Sequence, residues 1–352
     1  MSHTITIEPI GQQVEVRDGQ TVLDACLRAG VWLPHACCHG LCATCKVQLL
    51  DGDVDLGEAS SFALMDFERD EKKILACCAT AQTDLVIEAD IEEDPDAQYL
   101  PLDDFDAKVV EARMLTPTIR GLWLAPDKAV RFQPGQYLLL DVPGVEAPRA
   151  FSIANACDDE RIELHVRRVP GGRATGWLHD ELKAGDTVKF SAPYGRFFVR
   201  KSAAVPAIFV AGGSGLSSPK SMILDLLAED STLPITLVQG ARNVEELYFR
   251  ELFESLAERN PNFTYVPALS ECPDGASWNG ARGFAHEALK HKFDNDFRGH
   301  KAYLCGPPPM IEATLATLMQ GRLYERDIYT EKFFTAAEGA QPARRSPLFK
   351  TL

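Results

Sequence analysis

The chain has 352 residues, 45% of them hydrophobic and 25% charged, with a formal net charge of −15. That length points to two or three domains rather than one core. The acidic balance argues against nucleic acid as a partner, and no run of about 18 apolar residues suggests a membrane span. The opening stretch MSHTITIEPIGQQVEV alternates like a strand and has neither the basic nor the apolar region of a signal peptide, so a cytoplasmic protein is expected.

Residues 1–97 hold short alternating runs (TITIEP, VEV, KVQLL, DLVIEA) and one clear helix, TVLDACLRAG. Val22, Leu23, Cys26 and Leu27 give that helix an apolar face, and Gly30 ends it. A second helix is expected in FALMDFERDE. The pattern predicts a small α+β domain. It carries 19 Asp and Glu against 6 Lys and Arg, nearly all of the chain's excess acid. Such a face is either simply solvated or a docking surface for a basic partner protein. Residues 98–103, within an acidic stretch holding Pro95 and Pro101, read as a linker. Residues 104–202 are short β-like runs broken by Gly and Pro, which suggests a six-stranded antiparallel barrel. From 203 to 335 apolar strands alternate with helical runs, which predicts a five-stranded parallel α/β sheet with crossover helices. Residues 336–352 are polar and expected to form a mobile tail.

Seven of the ten cysteines lie in the first 78 residues. Clustering of this kind in a reducing compartment points to metal or redox chemistry. Cys37, Cys42 and Cys45 follow the spacing C-x4-C-x2-C, and Cys77 comes after 31 further residues, as in plant-type [2Fe–2S] sites. Tetrahedral iron prefers soft thiolates, and a tight loop can present three of them if Gly40 lets the backbone come close. A structural zinc site would usually use two C-x2-C knuckles, and only one short pair is present. A redox pair made of Cys42 and Cys45 alone is a further alternative. Cys38 and Cys78 are the confusing neighbours, Cys26 is a core residue of its helix, and His35 and His39 are loop residues.

APRAFSIAN supplies Arg149, Ala150, Phe151 and Ser152: a guanidinium suited to phosphate, a flat apolar wall and a small hydroxyl donor. HVRRV follows as the next strand, with His165, Val166 and Arg167. GGRATGWL then opens a helix with Gly171, Gly172, Ala174 and Thr175, a phosphate cradle. IFVAGGSGLSSPKSM runs strand, turn, helix, and Gly212, Gly213, Ser214 and Gly215 leave room for a pyrophosphate. In QGARNVEELY, Arg242 is a lone basic residue suited to a phosphate, whereas Glu245 and Glu246 are suited to accept from a free hydroxyl; the resemblance given below places this loop at the adenosine ribose, where one arginine without a basic companion favours NADH.

With YLCGPPPM (Cys305, Gly306, Pro307) and YTEKFF, these segments resemble the ferredoxin–NADP reductase superfamily over residues 104–334, preceded by a plant-type ferredoxin of β-grasp fold. The resemblance implies that Arg149 pairs with a flavin phosphate, that Phe151 packs beside the flavin, that Ser152 bonds near its N5, and that the strand through His165 turns its backbone to the flavin. It implies that the G-x-x-T turn holds an FAD pyrophosphate, that Cys305 lies beside the nicotinamide, and that Phe333, or else Phe334, covers the flavin with Glu331 near N5. It selects Cys77 as fourth cluster ligand, following Leu75-Ala76. The order of segments resembles the reductase components of bacterial multicomponent aromatic oxygenases, above all the phenol hydroxylase reductases. This implies NADH reducing FAD, then single electrons passing through the cluster to a di-iron hydroxylase partner. A Rieske-type dioxygenase is the alternative partner.

Overall fold

The structure, a computed structural model, describes residues 2–91, 94–229, 232–273 and 277–333. Phe334 and the expected tail 336–352 lie outside the described residues. Two units form: one runs to Asp104 and includes Ser191–Arg196, and the other comprises Phe105–Phe190 and residues 197–333.

In the first unit, β1 (Ser2–Glu8) and β2 (Gln12–Arg17) make an antiparallel hairpin. α1 (Val22–Arg28) follows, capped by the Thr21 hydroxyl, which accepts from the Asp24 N–H at 3.2 Å. All four residues of its expected apolar face are buried, Cys26 among them. Beyond the cysteine loop come β3 (Lys46–Asp51), β4 (Val54–Asp55), α2 (Asp66–Asp70), β5 (Lys73–Leu75), β6 (Thr80–Ala81) and β7 (Leu85–Glu88). The sheet order is β2-β1-β7-β3-β5, with β1 and β7 parallel and β4 paired separately with β6. A first strand parallel to the last, in a mixed sheet packed by one helix, is the β-grasp arrangement. The stretch read as a linker is tied down at its end. The Trp32 indole donates to the Leu100 carbonyl at 3.2 Å, and the Leu102 N–H to the Leu27 carbonyl at 3.3 Å.

The second unit begins with a barrel of β8 (Asp103–Met114), β9 (Ile119–Pro126), β10 (Tyr137–Leu140), β11 (Arg149–Ser152), β12 (Ile162–Arg167) and β13 (Thr187–Tyr194), with α3 (Arg173–Asp180) between the last two. The order is β11-β10-β13-β8-β9-β12, and a bridge from Ile153 to Leu164 nearly closes it. Strand alternation turns Leu164 and Val166 to one face of β12 and the polar Glu163 and His165 to the other; all four are buried.

The rest of this unit contains β14 (Ala207–Gly212), α4 (Ser217–Ala228), β15 (Ile235–Ala241), α5 (Arg250–Arg259), β16 (Phe263–Leu269), β17 (Ala281–Arg282), α6 (Ala285–Lys292), β18 (Lys301–Gly306), α7 (Pro308–Gln320) and β19 (Ile328–Lys332). The strands pair in parallel in the order β17-β16-β15-β14-β18-β19. Two-residue β17 extends the expected five strands to six. The order reverses between β14 and β18, so the turns leaving these two strands flank a topological switch point. The run VEELYFRELFESLAERN has a helical pattern, yet α5 starts only at Arg250, because Phe249 sits at φ +57°, a left-handed conformation that interrupts the helix.

Candidate functional site

Two constellations carry chemistry. The first is the cysteine loop. Cys37 pairs with Cys42, and Cys45 with Cys77, through their sulfurs. The hydrogen bond from Cys37, outweighing burial, pulls the Cys42 thiol down to about 5, while the same contact pushes Cys37 up. Backbone N–H groups point at the sulfurs: those of His39 and Leu41 reach Cys37, that of Thr44 reaches Cys42, and that of Gly40 reaches Cys77. Gly40 is required here, since at φ +70° an added Cβ would lie 2.7 Å from the Cys78 sulfur and 3.1 Å from the Glu58 carbonyl oxygen.

Among the described residues no three His, Cys, Asp or Glu side chains converge on a single ion position. Two thiol pairs with inward amides are instead the donor set of a binuclear cluster, one pair per iron, and they fit a [2Fe–2S] group. The neighbours behave differently. The Cys78 sulfur lies 3.7 Å from that of Cys77. His35 is buried, donates from Nδ1 to the Leu33 carbonyl at 2.8 Å and accepts at Nε2 from the Gly195 N–H at 3.0 Å. Burial lowers its pKa to about 4, so the ring stays neutral. The His39 ring bonds to the Cys37 carbonyl.

The second constellation lies where the barrel and the parallel sheet meet within the second unit. Register pairs Glu331 on β19 with Cys305 on β18. One carboxylate oxygen of Glu331, Oε2, then collects three donors. They are the Ser152 hydroxyl of β11 at 3.1 Å, the Ser218 hydroxyl of α4 at 2.7 Å and the Cys305 thiol at 3.4 Å. Burial pushes the Glu331 carboxyl up despite these donors, and pushes the Cys305 thiol well up. The expected Ser152, Cys305 and Glu331 are thus brought together. Ser218 joins them unforeseen, since a serine in a helix start carries no distinctive signal.

Phe333 donates its N–H to the Gly306 carbonyl at 3.0 Å, and its ring packs on a core that includes Cys305 and Phe197. The turn Gly212–Gly215 is clamped against Cys305–Pro307. A Cβ on Gly215 would lie 2.4 Å from the Cys305 carbonyl oxygen, and one on Gly212 would lie 2.5 Å from the Met310 sulfur. Packing this close leaves no room for a side chain at either glycine. Ser214 is buried in the same turn.

In the barrel, Arg149 lies at the start of β11 and donates to the Ala147 and Pro148 carbonyls, while Ala150 is exposed and Phe151 half-buried. Gly171 sits at φ +71°, and Gly172 precedes α3, where Ala174 is buried. The Thr175 hydroxyl accepts from the Val169 N–H at 3.1 Å and so closes the turn. Val166 is core, whereas Arg167 is exposed and reaches to within 3.3 Å of where a Gly213 Cβ would sit. A glycine turn with a free-standing guanidinium fits a diphosphate-bearing cofactor. Past β15, Arg242 and Glu245 are exposed, but Glu246 is engaged: its Oε2 accepts from Thr116 at 3.0 Å and Thr118 at 2.7 Å. That leaves Glu245 as the uncommitted carboxylate of the pair.

Residues 5–82 match the 2Fe-2S iron-sulfur cluster binding domain family, 107–199 the oxidoreductase FAD-binding domain family and 209–316 the oxidoreductase NAD-binding domain family. The chain is 59% identical to the phenol 2-monooxygenase reductase component of Pseudomonas sp. (strain CF600), over the whole of both chains. It is 56% identical to the phenol hydroxylase P5 protein of Acinetobacter pittii (strain PHEA-2), covering 99% of each. Among solved structures, the Amycolatopsis cytochrome P450 reductase GcoB matches with a TM-score of 0.86 at 37% identity, covering 94% of this chain and 98% of that one. The chain belongs to the phenol hydroxylase reductase-component family, oxidoreductases of the ferredoxin–NADP reductase superfamily that join a 2Fe-2S domain to FAD- and NAD-binding domains.

Proposed function

We propose that this chain is the NADH-dependent reductase component of a multicomponent phenol hydroxylase and delivers electrons to a di-iron hydroxylase. Residues 1–97 serve as the cluster domain, 104–202 as the flavin domain and 203–335 as the nicotinamide domain. The observation that carries this reading is the single Glu331 oxygen bonded at once from β11, α4 and β18. It gathers, at one point, groups from the segment that resembles a flavin site and the segments that resemble a nicotinamide site.

When bound, FAD would accept a hydride from NADH, and a [2Fe–2S] cluster would pass the electrons on one at a time. The protein's part is placement. Cys37, Cys42, Cys45 and Cys77 hold the cluster, and inward amides offset the charge that four thiolates gather. Arg149, Phe151 and the Gly171–Gly172 turn hold FAD. The Gly212–Gly215 turn and Cys305–Pro307 hold the dinucleotide, with Glu245 rather than Glu246 facing the adenosine ribose. Ser152, Cys305 and Glu331 line the point of transfer, and Phe333 shields it from water. The thiol of Cys305 stays protonated, because burial opposes its ionisation. It therefore acts as a neutral wall and not as a nucleophile.

The acidic cluster domain supplies the docking face for the hydroxylase. Two measurements test the whole. The visible spectrum of the purified protein should show flavin and iron–sulfur bands that anaerobic NADH bleaches; a colourless protein would overturn the assignment. Phenol hydroxylation with the partner should fall steeply as salt rises while reduction of a small dye stays level. A level response in both would remove the electrostatic docking face.

A further inference from the structure

A buried polar chain joins the barrel to the glycine-rich turn and takes no part in the roles above. Lys220 on α4 donates to the Glu163 carboxylate at 2.7 Å and to the Ala154 carbonyl at 3.0 Å. The other oxygen of Glu163 bonds His165 Nε2 at 2.8 Å. His165 Nδ1 faces the Tyr248 hydroxyl at 3.1 Å, and that hydroxyl also reaches the Gly213 carbonyl at 3.2 Å. Lys220, Glu163, His165 and Tyr248 are each between 4% and 6% exposed.

Chemistry fixes the direction of the bonds. A carboxylate at Nε2 places the ring proton there and leaves Nδ1 an acceptor, so the single hydroxyl hydrogen of Tyr248 is shared between Nδ1 and the Gly213 carbonyl. The Tyr248 hydroxyl is thereby held between the strand that would face the flavin and the turn that would carry the dinucleotide. A buried ion pair is a poor means of gaining stability, since apolar residues of similar size commonly do as well or better. What it imposes is geometry, because every member must find its partner. Two further features hold the same loop. Thr116 and Thr118 grip Glu246, two residues before Tyr248. Phe249, strained at φ +57°, packs tilted against His165 with ring centroids 5.4 Å apart, and the Lys220 ammonium lies 5.0 Å over its ring. Strain of this kind persists only where the surroundings over-determine the backbone.

We propose that Lys220, Glu163, His165 and Tyr248 form a positioning chain that fixes the Gly213 turn against β12, and so sets the dinucleotide in register with the flavin. Among the described hydrogen bonds, none joins these four side chains to Ser152, Cys305 or Glu331. The inference rests on reading Gly212–Gly215 as the dinucleotide site.

The test uses the full-length holoprotein with Tyr248→Phe, which keeps the ring and removes only the hydroxyl, with His165→Asn as second variant and the pair combined. NAD⁺ affinity is measured by calorimetry, together with amide exchange over residues 213–216 and the thermal midpoint. Loss of the link should weaken NAD⁺ binding about tenfold, a change of about 1.4 kcal/mol. It should speed exchange in the turn, with flavin content retained. The combined variant should lose no more than either alone, as members of one chain do. Wild-type affinity and exchange in Tyr248→Phe would overturn the proposal, as would a lowered midpoint with unchanged affinity, or losses that simply add. Failure of the wild-type protein to bind NAD⁺ would instead overturn the dinucleotide site itself.

Discussion

The cysteine loop and the Glu331 centre differ in how the chain builds them. Three of the four proposed cluster thiols fall within nine residues, Cys37 to Cys45, and the loop's own amides point at their sulfurs. Glu331 instead meets Ser152 across 179 positions, and Ser218 across 113. The first site is local and depends on backbone conformation. The second is assembled by three sheet registers and a helix start, so it depends on the packing of the whole second unit. Damage should therefore be confined in the first and distributed in the second.

The sharpest test of that contrast is Cys77→Ser. It should cost the iron and the delivery of electrons to the hydroxylase, by about a hundredfold or more, while NADH still bleaches the flavin at the wild-type rate. Iron content and anaerobic flavin reduction check both. Cys78→Ser should retain iron, and the reverse outcome would exchange the two assignments. Next in size, Gly215→Ala should affect the second unit broadly. Its methyl would lie 2.4 Å from the Cys305 carbonyl oxygen and 2.6 Å from the Gly306 Cα, backbone atoms that cannot swing aside. A loss of about 1–3 kcal/mol in stability is expected, with at least a tenfold rise in KM for NADH. Denaturant titration and steady-state kinetics would show whether the two losses travel together.

Legibility in the sequence follows the same division. Cysteine spacing is a local property, so C-x4-C-x2-C singled out the proposed cluster ligands, and Val22, Leu23, Cys26 and Leu27 marked the buried face of α1. The strands of the barrel and parallel sheet were legible too, apart from β17, which at two residues is too short to show a period. The late start of α5 was not, because nothing in VEELYFRELF announces a left-handed phenylalanine. Ser152, Cys305 and Glu331 came from family resemblance, since no periodicity links positions so far apart. Lys220, Glu163 and Tyr248 were passed over, although the alternation in IELHVR does place Glu163 and His165 on one strand face. Two polar residues opposite two core residues there could have signalled a buried polar contact.

Acid should loosen the second unit before alkali does. Burial alone would raise the Glu163 carboxyl, but the His165 hydrogen bond and the Lys220 charge prevail and hold it at about 2 against an ordinary 4.5. A depressed carboxylate stabilises the fold above its ordinary value and loses that contribution as pH falls towards 2. The sum is on the order of 3 kcal/mol. Burial, outweighing the Glu163 contact, lowers the His165 pKa, so its contribution is complete above about 6.5 and also fades on acidification. Denaturant midpoints measured from pH 7 down to pH 3 should fall in the wild type and fall less in a Glu163→Gln, His165→Asn double variant. Parallel curves would separate the chain's protonation from the stability of the unit.

The smallest effect expected is at Glu331, and its sign is opposite. Burial raises this carboxyl even though three donors converge on it. A raised group stabilises fully below its unfolded value, an ordinary 4.5, and the contribution is lost as pH rises through the folded value. Glu331→Gln keeps a neutral acceptor for Ser152, Ser218 and Cys305 at every pH. The wild type should thus lose stability relative to the variant as pH rises across that interval, with a slope no steeper than one proton allows, about 1.4 kcal/mol per pH unit. Hydride transfer should respond in the same interval if the carboxyl's proton state orders Ser152, and the variant's rate should be level there. Equal slopes for both proteins would mean that the three donors, and not burial, set the state of this carboxyl. Hydrogen bonding would then outweigh burial at the second site, as it does for the Cys42 thiol in the cysteine loop.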